Sequence, residues 1–562
     1  MQESSETYDV VVLGAGVAGL ATALFVALEG LRPAIFEHTG LIGGTSAVSA
    51  GSVWIPGTEA GRAVNPMDTP ERAFTYLRGS APAGDPAMQR RFLELGVEAV
   101  ALLARDTEVQ LRPYAHHPDY LSDIEGGTAC GRALEPVPFD GRRLGADLAL
   151  IQPPIPEFTL LGGMMVDRTD IRHLMGALKS RASALHVARL LTRHTADRIR
   201  GRRSSRMVMG QALVGRLLLS LKQRDVPIFR NAEVTALRSD GSRVTGVSIR
   251  MDGREREVKG RAVVLAGGGF TLHPEMRRDL VPDMPCFTPG APGRTGKLIE
   301  LALALGARLG EGGEHAFWTP VSTRLRKDGS RAVFPHFVLD RAKPGTLVVD
   351  QSGRRFLDES SDYHRFGQAM IAAHAKRPAI PAYLIADHRA LMAYGLGMVR
   401  PGGWGLRRAE RDGYVVSAPT LAALAAALKM DADALQASVA RMKDFARIGI
   451  DAEFKRGSTV YARNLGDPAV APNPTLGPID TPPFHAIRLY PGDIGASTGL
   501  VTDADSRVLA GDQPIAGLFA VGNDRHSVMG GGYPGPGITL GPAIAFAYAA
   551  ARAAAREIKG GA

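Results

Sequence analysis

Gly14, Gly16 and Gly19 stand in the spacing G-x-G-x-x-G, and an acid, Glu37, follows them. Those residue types in that order suit the holding of a dinucleotide. Gly14 permits a tight turn, Gly16 lets the backbone approach a pyrophosphate, and Gly19 lets a helix pack on a strand. The helix N-terminus then faces the phosphates, and Glu37 can accept hydrogen bonds from a ribose. A structural glycine turn is the alternative, and it needs neither the acid nor the flanking pattern.

Small residues continue past the acid, in GGTS (Gly43–Ser46) and SAG (Ser49–Gly51). They supply backbone N–H and hydroxyl donors for a phosphate or a flavin edge, which favours FAD over NAD. Near the C-terminus LFAVGN (Leu518–Asn523) ends in another glycine, and GITLGPAIAFAYAAARAA opens a helix. The N-terminal amides of that helix favour the negative charge of a reduced flavin. The expected contact set is Gly14, Gly16, Ala18, Gly19, Glu37, Gly44, Thr45, Ser46, Ser49, Gly51, Val234, Ala266, Gly267, Gly268, Gly522, Asn523, Gly537, Thr539 and Leu540.

The elements that must place these residues form a βαβ unit. Tyr8–Leu13 is a β-branched apolar run, Val17–Leu28 is rich in Ala and Leu, and Pro33–Phe36 is a second apolar run leading to Glu37. Residues 70–105 and 170–223 have helical texture, and 107–156 has the Pro, Gly and Tyr of an ordered loop. Val226–Leu237, Val244–Met251 and Val258–Ala266 predict a small meander, after which RAVVLAGGGF returns to the first sheet. The fold class expected is α/β: a Rossmann-like FAD-binding domain with a central parallel sheet, plus a smaller α+β capping domain. We divide the chain as 1–284 with a helical insertion at 70–223, 285–470 for the cap, and 471–562 for the second part of the FAD domain.

Composition excludes several classes. A chain of 562 residues exceeds one compact core. Cys130 and Cys286 lie in neither a CxxC pair nor a metal-ligand spacing, so reduced thiols and no metal are expected. The start, MQESSETYDVVVLGAG, lacks the pattern of a signal peptide, and no long apolar run predicts a membrane span, so a cytoplasmic location is expected. Much of the net charge of +10 sits between Ala188 and Arg206. No helix-turn-helix, zinc or RNA-binding signature accompanies it, which argues against nucleic acid. A solvated face is one reading of that basic stretch; peripheral contact with an anionic membrane is the other.

The order YDVVVLGAGVAGL, FEHTGLIGGTSAVSAGSVWIP, PGDIGASTGLVTD and AVGNDRHSVMGGGYPGPGITLGPA resembles the fumarate reductase and succinate dehydrogenase flavoprotein superfamily. Within it, SVMGGGYPGPG, HPDYLSDIEGGTACGR and RRFLDESSDYHRFG resemble the 3-ketosteroid Δ1-dehydrogenases. The resemblance implies an FAD-dependent desaturation of 3-oxosteroids between C1 and C2, with an electron acceptor that the sequence does not identify. It implies that Tyr533 and Gly537 bind the 3-keto oxygen, that Tyr363 abstracts the proton and that Tyr120 assists it; Tyr114 lies in the same loop as Tyr120. Asp524-Arg525-His526 departs from the family's pattern.

The chemistry matches those residue types. An α C–H becomes removable when the developing enolate oxygen is held by preorganised donors, and losing one such donor costs about 2.7–4 kcal/mol of barrier. A second tyrosine that donates to the base lowers the cost of its phenolate. His364 is expected to face solvent or to tune Tyr363, and His526 lies between two flavin-side motifs. The rival activity is a fumarate-type reductase, which needs cationic clamps for two carboxylates; Arg525 is its candidate. A non-catalytic flavin-binding subunit is a further alternative.

Overall fold

β-Branched residues closed by a glycine make the first strand, Glu6–Leu13, and the two elements after it fall at Val17–Leu28 and Pro33–Glu37. The computed structural model describes residues 6–201 and 203–560. The first five residues of the stretch read as lacking a signal peptide, and Arg202 of the basic stretch, lie outside the described residues.

The first strand sits between Pro33–Glu37 and Arg254–Leu265, and the parallel set is extended by Ile228–Arg230 on one side and Gln513–Ala520 on the other. Strand Arg254–Leu265 belongs to two layers. Its exposed first half pairs antiparallel with Val244–Met251, which pairs with Glu233–Ser239 as the expected meander. Its buried second half, Val263–Leu265, enters the parallel core between Val11–Leu13 and Leu518–Ala520. The long C-terminal helix, Leu540–Gly560, packs on helix Val17–Leu28 and on helix Pro86–Asp106.

The helical insertion is more divided than its composition suggests. Thr69 and Asp85 each cap a helix that has proline in its first turn, which splits the first stretch into Pro70–Ser80 and Pro86–Asp106. Residues 107–156 contain Leu111–Pro113 and Ala133–Pro136, which join Val53–Trp54 in a small antiparallel sheet. Three helices, Arg168–Met175, Arg181–Ile199 and Met209–Lys222, occupy 168–222, broken near Gly176 and Gly201.

The second sheet runs Arg331–Pro335, Ala316–Leu325, Phe484–Ala496, Ala382–Asp387, Thr346–Val349, with Val415–Ala418 also on the third of these. Its longest strand, Phe484–Ala496, comes after residue 470, so the expected division of the chain falls in the segment leading into it. Asp493 on this strand accepts from Arg294 (2.9 Å) and Arg277 (3.2 Å), which fastens the sheet to the segment that follows the first. No helix among the described residues is long and apolar enough to cross a membrane.

Candidate active site

The glycine turn is built as its sequence requires. Gly14 has φ +112°, and a Cβ there would stand 2.3 Å from the Ala266 carbonyl oxygen; a Cβ on Gly19 would stand 1.9 Å from the Gly14 oxygen. Gly16 precedes the helix with no side-chain cap, leaving N-terminal amides to face the cavity, and the Val17 N–H donates to Ser46 Oγ at 3.3 Å. Glu37 is buried and braces the turn: its carboxylate accepts from the Ala15 N–H at 2.7 Å and from the Thr39 N–H and hydroxyl at 2.8 Å each.

One cavity of about 1020 Å³ begins at this turn and reaches Tyr363 and Tyr533. Every member of the expected contact set lines it except Gly19, which packs behind Gly14. The donor set fits FAD: uncapped amides for the pyrophosphate, a buried acid beside them, and at the far end a glycine–threonine turn opening helix Leu540–Gly560. Asp524 holds the opposite wall, accepting from the Gly267 N–H at 2.5 Å and the Gly269 N–H at 2.7 Å, while burial pushes its carboxyl up to about 6.

Three tyrosines from distant segments meet at the other end. The Tyr363 ring lies 5.3 Å from Tyr120 and 5.1 Å from Tyr533, and Tyr120 and Tyr533 stack at 5.8 Å. Each has a distinct anchor. Tyr363 is the first residue of helix Tyr363–His374, whose cap Asp362 accepts from the His364 and Arg365 amides at 3.0 Å. The Tyr120 N–H donates to the Pro534 carbonyl at 3.0 Å, and Tyr76 Oη donates to the same oxygen at 2.5 Å. The neighbouring Asp119 is fixed by Arg132 (2.8 Å) and by the Trp54 indole (2.8 Å). Gly537, with φ +97°, has no room for a side chain because a Cβ would stand 2.3 Å from the Ser52 carbonyl oxygen. Glycine is thus required by packing against Ser52, a reason the sequence does not show. The Gly537 N–H has no acceptor among the described residues.

Burial dominates the electrostatics of these phenols. It raises Tyr120 and Tyr363 well above the ordinary value and pushes Tyr533 up to about 12. The charge of buried Asp362 adds to the rise at Tyr120 and Tyr533. Both phenols are thus held protonated near neutral pH, Tyr363 with its ring edge-on to that of Tyr120. Burial is the largest influence on both phenols, and it opposes the ionisation of Tyr363.

The FAD binding domain family matches residues 9–540. A 3-oxosteroid 1-dehydrogenase of Mycobacterium tuberculosis is 35% identical over 97% of this chain and 98% of its own length. The crystal structure of a 3-ketosteroid Δ1-dehydrogenase from Sterolibacterium denitrificans, solved with 1,4-androstadiene-3,17-dione, superposes with a TM-score of 0.91 at 34% identity, over 98% of this chain and 100% of that one. The chain belongs to the 3-ketosteroid Δ1-dehydrogenase family. FAD is its cofactor, and the likeness to this family extends to a 4-oxocyclohex-2-ene-1-carboxylate 5-dehydrogenase of Sinomonas cyclohexanicum, 36% identical over 99% of this chain and 95% of that protein.

Within this dehydrogenase fold several side chains lie elsewhere than their sequence position suggests. His364 is buried, not solvent-facing. Arg525, the candidate cation of a fumarate-type site, does not line the cavity; it is buried 3.6 Å from the Phe546 ring, and burial pulls its guanidinium down to about 9. His526 packs against Gly310 outside the cavity lining. Tyr114 lines the cavity, but its hydroxyl is bonded to Ser52 Oγ at 3.0 Å. The sequence reading missed Tyr461, whose ring lies 4.8 Å from Tyr120, and Phe337, 5.0 Å from Tyr363. Neither sits in a recognisable motif: Phe337 follows strand Arg331–Pro335 of the second sheet, and Tyr461 lies on helix Val460–Asn464, its N–H donating to Ser122 Oγ at 3.1 Å.

Proposed function

We propose that the protein desaturates 3-oxosteroids between C1 and C2, with Tyr533 and Gly537 holding the ketone, Tyr363 removing the α proton and Tyr120 supporting it. The observation that carries these roles is the convergence of the three phenols on a cavity also lined by Gly537, whose N–H has no acceptor among the described residues. FAD supplies the acceptor for the β hydrogen, taken as hydride. The Tyr533 hydroxyl and the Gly537 N–H donate to the ketone oxygen and stabilise the charge that builds there as the α C–H bond breaks. Tyr363 receives that proton. At pH 7 even an ordinary phenol costs about 4 kcal/mol to ionise, and burial adds to that cost. A buried phenolate is also a stronger base, so the cost returns in part as driving force. The wall beyond the phenols carries Phe337, Val338, Leu396, Val399, Phe158 and Met165, which suit a fused ring system. We also move the second domain boundary from 470 to about 496, where the central strand of the cap ends.

The test is anaerobic bleaching of the flavin by 4-androstene-3,17-dione in the wild type and in Tyr533→Phe. Rapid bleaching is expected in the first and almost none in the second, with FAD bound in both. Equal bleaching would remove the oxyanion role. A second reading, a small cyclic ketone bearing a carboxylate, is favoured by Arg168. It lines the same cavity 5.0 Å from the Tyr114 ring and has no ion pair among the described residues. Running 4-oxocyclohexanecarboxylate beside the steroid ranks the two.

We propose that the basic stretch Ala188–Arg206, together with helix Arg168–Met175, which precedes it and lines the cavity, rests on an anionic bilayer. Ile171, Leu174 and Met175 line the cavity, and Met175 (76%) and Leu178 (102%) are exposed beside it. Arg172, Lys179, Arg181 and Arg189 are exposed in the same stretch of chain and have no ion pair among the described residues. Apolar groups in a cationic stretch match an anionic membrane surface, from which an apolar ketone could enter directly. Flotation with vesicles of phosphatidylglycerol and phosphatidylcholine should carry the wild type and leave Met175→Asp/Leu178→Asp behind; equal flotation would refute the docking.

A further inference from the structure

The phenols of Tyr363 and Tyr533 must address neighbouring atoms of one substrate, and tolerances of that kind are a few tenths of an ångström. Yet the first belongs to a helix lying on the second sheet and the second to the loop feeding the C-terminal helix. His364 lies between them. Its Nδ1 accepts the Trp318 N–H at 3.1 Å, and the side chain is 2% exposed. A backbone amide is always a donor, so Nδ1 carries no proton and Nε2 carries one. That Nε2–H is buried and lies near enough to the Gly531 carbonyl, two residues ahead of Tyr533, to be influenced by it, but it meets hydrogen-bond geometry to no described group. The imidazole ring lies 5.8 Å from the Tyr533 ring and 5.9 Å from Phe317.

The surroundings leave this bridge little slack. Gly367, one turn along the helix, is pressed on the strand: a Cβ there would stand 2.4 Å from Trp318 Cβ. Glu314 accepts from the Trp318 indole and from Gln368 Nε2, both at 3.2 Å, and a Cβ on Gly531 would stand 2.2 Å from the Glu314 nitrogen. Strand, helix and loop thus meet around one imidazole.

We propose that His364 is a positioning residue, a neutral bridge from the Trp318 amide to the Gly531 carbonyl that sets the spacing between the Tyr363 phenol and the Tyr533 phenol. This rests on the roles given to those tyrosines above. His364 does not itself move a proton, since its Nδ1 is occupied by an amide donor. Burial, the largest influence on it, holds the ring neutral by lowering its pKa to about 4.

Three variants dissect the bridge on the FAD-loaded enzyme. His364→Asn keeps an acceptor for Trp318, His364→Gln keeps a donor toward Gly531, and His364→Phe keeps neither. With 4-androstene-3,17-dione and an artificial electron acceptor, His364→Phe should lose about 30-fold or more in kcat while KM moves less than about threefold. Each of the other two should recover part of that loss. The shape of the kcat–pH profile should be unchanged in all three. Hydrogen exchange read by mass spectrometry should speed up in peptides covering 316–320 and 529–534 together in His364→Phe, and mainly in 529–534 in His364→Asn. Wild-type kcat in all three variants, a loss that only tracks the FAD-loaded fraction, or unaltered exchange would each overturn the bridge. If the wild type failed to desaturate any 3-oxosteroid, that result would fall on the substrate reading, and the exchange measurement alone would decide on His364.

Discussion

The cofactor cradle and the tyrosine cluster share one cavity but are made of different material. The cradle is mostly backbone: Gly14, Gly16, Gly267 and Gly522 bring amides and carbonyls close, and side chains such as Glu37 and Asp524 brace those loops. The cluster is all side chain, contributed by Tyr120, Tyr363, Tyr461 and Tyr533 from four separate segments. A backbone site is sensitive to any added atom, since there is no room. A side-chain site tolerates shape-preserving change and is sensitive to the loss of single hydroxyls.

Gly19→Val presses hardest on that contrast. With a Cβ 1.9 Å from the Gly14 oxygen, the turn cannot form, and the expected product is colourless or insoluble protein. Yellow, active Gly19→Val would show the cradle to be more pliant than its geometry. Tyr533→Phe and Tyr363→Phe come next. Each should lose about 10²–10³ in the rate of flavin reduction, the range for one oxyanion donor or one positioned base, with FAD content unchanged. Tyr363→Phe should also abolish exchange of the C2 proton with solvent deuterium, and persistent exchange would point to another base.

A pH series is a gentler probe. Because burial holds Tyr363 above its ordinary value, the phenolate fraction grows about tenfold per pH unit below that point. Stopped-flow flavin reduction should therefore climb from pH 7 to about 9 without a plateau near neutrality. A flat profile would mean that the base is already ionised at pH 7. The smallest effect is expected from Tyr461→Phe. Its hydroxyl is buried without full hydrogen-bond geometry, although the Arg341 guanidinium is near enough to act on it, so melting temperature should change little, and kcat should stay within about threefold. A larger loss would enlist this fourth phenol in the chemistry.

The same contrast explains what could be read from the chain. Gly14, Gly16, Gly19 and Glu37 are close in sequence, and their spacing follows from local sterics, so strand, helix and acid fall where the pattern places them. Tyr120, Tyr363 and Tyr533 carry no local signature of proximity; only family-like motifs joined them. Tyr461 and Phe337, outside any motif, stayed invisible because the tyrosines they meet come from segments distant in sequence. His364 shows a further limit: a polar residue at a helix start looks solvated until the Trp318 amide that claims it is known. The break near residue 470 was drawn from a change of texture, whereas membership of Phe484–Ala496 in the second sheet is a matter of pairing.

Tyr533 and Gly537 ride on the run that continues into helix Leu540–Gly560, whose inner face is buried from Leu540 to Ile558. Tyr363 rides on the other body, against strand Ala316–Leu325. Any hinge between the two would part Tyr363, the proposed proton acceptor, from Tyr533 and Gly537, the proposed grip on the ketone. With the roles proposed for these residues, such an assembly would be failsafe: it would deprotonate only when shut, and a half-seated guest would not be left as a stranded enolate in water.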